Sequence, residues 1–451
     1  MTPQAPSVPV AALDATVKPI GYARSPDFWV RFGWGVLSGA LAAVGAFIYV
    51  AIVNKVLIHL VWPGQMSLIP WSGPIRIVVI TTLAGLLVGI IHRFMSAEEV
   101  DLFAAIPKGD MATNSLIGAL LVSVPSLVGG FPLGPEGPTG ILAGGLGVWI
   151  AKKRRLPKAV MRTNLISGVA GAYGGLFTSP FAMIPMALEF KHRQSLYYYG
   201  TLAIIAVSAL IGFGLFYTAG GNRFSELLRL LHLPVYQLQQ WHLLAGFLLG
   251  IVGVIVAMVF ALSKRAFGKL LTPLRDKPII RCTAIGLIAG LVAMAMPATL
   301  FLGTDGLQQV VNDRDHLATG FVVAAALVKL LVLALLLAGG FVGGPIFPLL
   351  FAGGAIGIAV SQLVPAIPPM MAVGCLMAAV PCALFPFPAT MAVVVLMITG
   401  TPIMNAMPVL TAGLTAHFVL HGIVLKNPAV AGDKNRDIDA ELQDAQAPEE
   451  T

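Results

Sequence analysis

One carboxylate stands in the middle of a stretch whose surroundings belong to hydrocarbon. From Val128 to Ile150 the chain reads VGGFPLGPEGPTGILAGGLGVWI, with a single acid, Glu136, three prolines (Pro132, Pro135, Pro138) and repeated glycines. Inside a bilayer, irregular backbone survives only where it is buried in protein or lines a wet cavity. An acid there is costly and marks an ion or proton pathway. Gly134–Pro138 followed by an apolar, glycine-rich segment reads as a loop opening a helix, with Pro138 in the first turn. The free N–H groups at such a start turn the positive end of the helix dipole outward. Exposed amides with one acid inside a membrane make an anion site with its own gate.

The membrane setting follows from composition. Of 451 residues, 57% are hydrophobic and 11% charged, where a soluble chain carries about a quarter charged residues. The chain is therefore read as an all-α polytopic membrane protein. A net charge of +8 does not point to nucleic acid, because the basic residues cluster in short runs between apolar segments. That is the positive-inside pattern of cytoplasmic loops. Cys282, Cys375 and Cys382 lack metal-ligand spacing and read as small buried hydrophobes. No metal or cofactor is implied.

Residues 1–28 lack an apolar signal-peptide core and are expected to form a polar cytoplasmic lead-in. A first membrane repeat is expected over 29–263. Its spans are Trp29–Trp62, Ile77–Ile91, Leu116–Val128, Tyr197–Tyr217 and Leu243–Leu262, with Leu165–Leu188 broken by glycines and by Pro180 and Pro185. Gly140–Ile150 is too short to cross alone, and Gly220–Trp241 reads as interfacial. A basic connecting loop, 264–281, leads to a second repeat over 282–425. Its apolar runs are Cys282–Met296, Phe321–Leu337, the segment GGFVGGPIFPLLFAGGAIG, Met371–Phe385, Ala389–Thr399 and Val409–Leu425. The polar tail, 426–451, is expected to be flexible.

The halves echo each other. Pro138 precedes Ala143-Gly144-Gly145, as Pro348 precedes Ala352-Gly353-Gly354. Leu176-Phe177-Thr178-Ser179-Pro180 has its echo in Leu384-Phe385-Pro386-Phe387-Pro388. Two matches at nearly one offset indicate an internal repeat. Transporters built this way place their site between broken helices at the repeat interface, so the loops Gly134–Pro138 and Gly343–Pro348 should meet.

With these residues in view, Gly134-Pro135-Glu136-Gly137-Pro138 resembles the GxEGP motif of the CLC family of chloride channels and proton-coupled chloride antiporters. Gly344-Pro345-Ile346-Phe347-Pro348 resembles its second anion loop, GxFxP. Phe177-Thr178-Ser179-Pro180 and Phe387-Pro388-Ala389 resemble the helices after those loops, and Leu302–Gly306 resembles a glycine-acidic turn of the family. The resemblance spans about residues 30 to 425. It implies two inverted-topology repeats with broken and re-entrant helices, a homodimer with one pathway per subunit, and a glutamate, Glu136, that competes with chloride. Gly134, Gly137, Gly344, Ile346 and Phe347 would be anion-binding. Departures are plain as well. The first anion loop, GSGIP, is absent, and nearby Ser96 is assigned no chloride contact. Pro135 stands where the family has arginine, Pro345 offers no N–H, and the pore tyrosine has no counterpart after Tyr236.

Other acids and histidines read more plainly. Glu189, before Lys191-His192-Arg193, is either an interfacial ion-pair residue or part of a proton path; the family's inner proton glutamate aligns with Phe190, which implies uncoupled or weakly coupled anion movement. His417 and His421, four apart, read as polar packing without a third metal ligand, and Asp305 as a turn residue. Scattered acids and one His pair do not make an enzyme site. The function expected is transport of a small inorganic anion, chloride first and fluoride or nitrate as alternatives, with protons as a possible partner. The protein is expected in the cell inner (plasma) membrane, in contact with lipid, with both termini cytoplasmic.

Overall fold

The computed structural model of the chain describes residues 26–62, 73–95, 102–111, 115–189, 198–220, 231 and 233–424. Ser96, much of the Gly220–Trp241 segment read as interfacial, Phe190 to Arg193 and most of both polar termini lie outside them.

Apolar runs become helices in the order the sequence announces. The first half holds α1 (Pro26–Val50), continuing through a π-helical stretch, Ala51–Leu57, into α2 (Ile58–Val61). It goes on with α3 (Pro74–Phe94), α4 (Leu102–Lys108), α5 (Leu116–Val128), α6 (Glu136–Lys153) and α7 (Lys158–Leu176). A short turn, Pro180–Ala182, then leads into α8 (Met183–Glu189) and α9 (Tyr198–Gly220). The second half holds α10 (Trp241–Leu270), α11 (Pro278–Ala295), α12 (Thr304–Asn312), α13 (Thr319–Ala338) and α14 (Ile346–Leu363). After these come α15 (Pro369–Leu384), α16 (Pro388–Thr399) and α17 (Ala406–Phe418). Prolines open α11, α15 and α16, where the missing N–H costs nothing and the fixed φ suits a first turn.

The two halves are one design used twice. In the first, α1, α6, α7 and α9 pack on one another; in the second, α10, α14, α15 and α17 do. The pairs α3–α5, α5–α6, α4–α6 and α8–α9 recur as α11–α13, α13–α14, α12–α14 and α16–α17. Among the described residues, eight helices are long and apolar enough to cross a membrane, while α5, α15 and α16 are apolar but shorter. The chain is thus a multi-pass, all-α protein of two inverted-topology repeats with broken helices.

Two expectations about local structure need correcting. The basic stretch 264–281 is mostly helix: Lys264, Arg265 and Lys269 prolong α10, Arg281 lies in α11, and only 271–277 connects them. Long basic side chains reach polar surroundings from a helix end without breaking it. Glycines do not break Leu165–Leu188 either. Gly168, Gly171, Gly174 and Gly175 lie within α7, and a Cβ on Gly171 would strike the backbone of Gly39. Such small residues let helices approach closely. The real break is at Phe177–Ser179, where Thr178 takes φ +49°. Pro185 sits harmlessly in the first turn of α8.

Candidate functional site

The two proline-glycine loops meet. Gly134 and Gly344 form an isolated antiparallel bridge. The Gly134 N–H donates to the Gly344 carbonyl at 2.8 Å, and the Gly344 N–H returns a bond to Gly134 at 2.7 Å. Phe131 and Phe341 pack edge to face at 5.0 Å, and the Val342 N–H donates to Ser126 Oγ at 3.3 Å. Pairing of this kind satisfies loop backbone that hydrocarbon could not.

At the junction α6 and α14 begin, each after a proline: Pro135 and Pro345 are their N-caps. Glu136, the first residue of α6, sends its side chain across to α14 rather than capping its own helix. Its Oε1 accepts from the Ile346 N–H at 2.8 Å and the Phe347 N–H at 3.3 Å. Proline at 345 leaves those two amides to face the acid. The carboxylate is 1% exposed, and its second oxygen, Oε2, is buried with no hydrogen-bond partner among the described residues. Charge-assisted bonds to amides at a helix start are strong. A buried oxygen without a partner works against them.

Glycine is required here for room. A Cβ on Gly134 or Gly344 would collide with the Glu136 carboxyl group, and one on Gly137 would lie 2.7 Å from the Gly344 nitrogen. Of the residues singled out in the sequence, Glu136, Ile346 and Phe347 therefore converge directly. Gly134, Gly137 and Gly344 frame them by making space.

One participant was not foreseen. Tyr173, on α7, is buried and donates its hydroxyl to the Glu136 carbonyl at 2.8 Å. Its ring meets Phe177 edge to face at 5.3 Å, and Phe177 stacks on Phe347 at 5.8 Å. The only sequence signal was a lone tyrosine in a glycine-rich apolar run. Tyr173 positions the start of α6 while the aromatic pair leads to α14.

Glu189 serves a different helix. At the end of α8 it accepts from the Ala389 N–H at 2.5 Å, the Thr390 N–H at 3.1 Å and Thr390 Oγ1 at 2.6 Å, capping α16. His417 and His421 stack with ring centroids 4.4 Å apart. Their Nδ1 atoms meet the carbonyls of Cys382 and His417, each at 3.1 Å. Asp305 lies in the first turn of α12. Outside the apolar helices, Asp110 pairs with Lys152 at 2.7 Å. The hydrogen bond from that ammonium holds its carboxyl below the ordinary carboxylate range.

Comparison with known proteins agrees with this architecture. The sequence profile of the family described as Voltage gated chloride channel matches residues 81–421. Proteins named ion-transport protein YfeO from Escherichia coli (strain SMS-3-5 / SECEC) and from Escherichia fergusonii are 28% identical over 337 residues, 72% of this chain and 77% of their own length. Among solved structures, a slow cyanobacterial Cl-/H+ antiporter has a similar fold at a TM-score of 0.67 and 17% identity, covering 90% of this chain and 99% of its own. A CLC-type fluoride/proton antiporter does so at 0.69 and 16%, covering 87% and 95%.

Proposed function

Because the chain belongs to the voltage gated chloride channel family, we propose that it conducts a small inorganic anion, chloride first, past Glu136 acting as the gate. That it is an anion transport protein of this family, multi-pass in a membrane, follows from the match and the fold. The observation that carries the finer reading is the pair of bonds from Ile346 and Phe347 to Glu136 Oε1. An anion needs the same donors, at the same helix start, so carboxylate and anion compete for one place. Withdrawal or protonation of the side chain frees the amides, with Gly134, Gly137 and Gly344 lining the space. In this reading the protein is a transporter and not an enzyme, works as a homodimer with one pathway per subunit, and lies in the inner membrane with cytoplasmic termini.

Anion movement is read as uncoupled or weakly coupled to protons. What supports this is the engagement of Glu189 with three donors on α16, since an acid held as a helix cap is a poor carrier of protons. The similarity to antiporters of chloride and of fluoride keeps a proton-coupled second reading in play, with fluoride as its substrate. The test is efflux from liposomes of purified protein, loaded in turn with chloride, fluoride or nitrate, with internal pH recorded in parallel. Chloride efflux without uphill proton movement is the expected result. Absence of flux for every anion would overturn the transport reading, and fluoride flux with stoichiometric proton movement would replace it with the second.

A further inference from the structure

One charged side chain inside the protein has no part in the site so far. Lys329 lies midway along α13, in a helix whose other residues are all uncharged, and it is 0% exposed. An ammonium at such depth is expensive unless something compensates it. Among the described residues no carboxylate is paired with it. Its Nζ donates to the carbonyls of Ala298 and Leu300, both at 3.0 Å, and stands 4.6 Å from the centre of the Phe351 ring. Two carbonyl dipoles and one aromatic face accommodate the three N–H groups. They cancel no charge.

These contacts lead to both walls of the Glu136 junction. Leu300 is followed by Phe301, held at φ +53°, whose N–H donates to the Gly130 carbonyl at 2.8 Å. Gly130, at φ +75°, opens the loop that ends at Glu136. On the other side, Phe351 sits one helical turn beyond Phe347, whose N–H holds the Glu136 carboxylate. Phe347 and Phe351 together line a cavity of about 20 Å³ with Thr304 and Leu307. The cation thus ties the loop before α6 and the first turns of α14 to one buried point.

We propose that Lys329 is a positioning and anion-attracting residue: its buried ammonium, with no carboxylate paired to it among the described residues, supplies positive potential to the anion that takes the place of the Glu136 carboxylate on Ile346 and Phe347. The inference rests on the anion-transport reading above. A bare hydrogen-bonding staple for the 298–303 loop would need the donors but not the charge, and this separates the two roles. Lys329→Gln keeps donors for the carbonyls and removes the charge. Lys329→Arg keeps the charge and changes the shape.

The experiment measures half-saturation for sodium chloride and sodium fluoride efflux in liposomes, with thermal unfolding in detergent as a fold control. Lys329→Gln is expected to unfold within a few degrees of wild type, to raise half-saturation about tenfold at an unchanged maximal rate, and to lose part of the anion-dependent rise in Tm. Lys329→Arg is expected to stay within about twofold of wild type. A folded Lys329→Gln with wild-type half-saturation overturns the proposal, as does an arginine variant as weak as the glutamine one. Should Lys329→Gln fail to fold, the arginine variant decides: near-wild-type half-saturation supports the charge role, and a tenfold rise refutes it. Wild-type flux with unmoved variants defeats this inference alone, whereas absence of wild-type flux defeats the transport reading with it.

Discussion

Replacing Glu136 by alanine removes the competitor for the α14 amides, and the size of the effect can be worked from the contacts. Hydrogen bonds to a charged group contribute about 1.5–3 kcal/mol each. The bond from Ile346 at 2.8 Å is well made and the one from Phe347 at 3.3 Å is long, so the pair is worth about 3 kcal/mol. Against this stands the buried, unpartnered Oε2, an opposing cost of about 1–3 kcal/mol. The net hold of the carboxylate on α14 is then about 0–2 kcal/mol, a factor of up to about thirty in occupancy. Glu136→Ala should therefore lower the half-saturation for anion flux several-fold, and by no more than about thirtyfold. Glu136→Gln, which keeps a neutral acceptor, should fall between. The pH response follows in sign. Acid protonates the wild-type side chain and removes its charge, so wild-type half-saturation falls as pH falls, whereas the alanine variant should be flat. Efflux from liposomes with an anion-selective electrode, at several external pH values, reads both. Unchanged half-saturation and unchanged pH response in a folded Glu136→Ala would refute the competition argument.

Gly137→Ala forces a Cβ to 2.7 Å from the Gly344 nitrogen and 2.8 Å from the Gly343 carbonyl carbon. Overpacking against backbone should cost about 1–3 kcal/mol, seen as a lower Tm in detergent and as impaired flux; a wild-type Tm would show that the loops separate freely. Glu189→Gln should lower Tm by loosening the start of α16 while leaving anion flux within about twofold, and neither it nor wild type should drive protons uphill on a chloride gradient; robust pumping abolished by the substitution would show Glu189 to be a proton carrier. Asp110, with its carboxyl held below the ordinary carboxylate range by Lys152, contributes stability above that range and loses it as pH falls through the lowered folded-state value. Both partners are about half exposed, so Asp110→Asn should cost under about 1 kcal/mol at neutral pH and nothing in acid strong enough to protonate the folded-state carboxyl, which unfolding under the two conditions would check.

Much of the architecture is legible because hydrophobic runs and prolines are strong local signals. Leu116–Val128 is a helix with those bounds, and the repeat spacing brings Gly134 and Gly344 together. Helix ends near basic residues are less legible, since Lys264 to Lys269 extend a helix that polarity alone would end. Contacts across the repeats are harder still. Nothing near Glu189 in sequence says that its carboxylate meets Thr390, or that the Tyr173 hydroxyl meets the Glu136 carbonyl. Lys329 is a different lesson. Phe321–Leu337 reads as an apolar run by average, and averaging hides the one residue whose cost in that setting demands an explanation.

The repeats share a backbone plan but divide the chemistry. Both acids that accept from the start of a facing helix, Glu136 and Glu189, come from the first repeat, while the amides they engage, on α14 and α16, belong to the second. Where the first loop carries Glu136, the matching place in the second holds Ile346, 210 residues on. An acid in both loops would set two carboxylates against each other across the Gly134–Gly344 bridge, each raising the cost of ionising the other. With one acid and two opposed helix starts, each worth about half a positive charge, the junction roughly matches its single carboxylate, and in the proposal above the buried ammonium of Lys329 adds positive potential from behind Phe351. In the proposed reading, keeping the helices twice and the acid once is what would let one side chain close the path and an incoming anion reopen it.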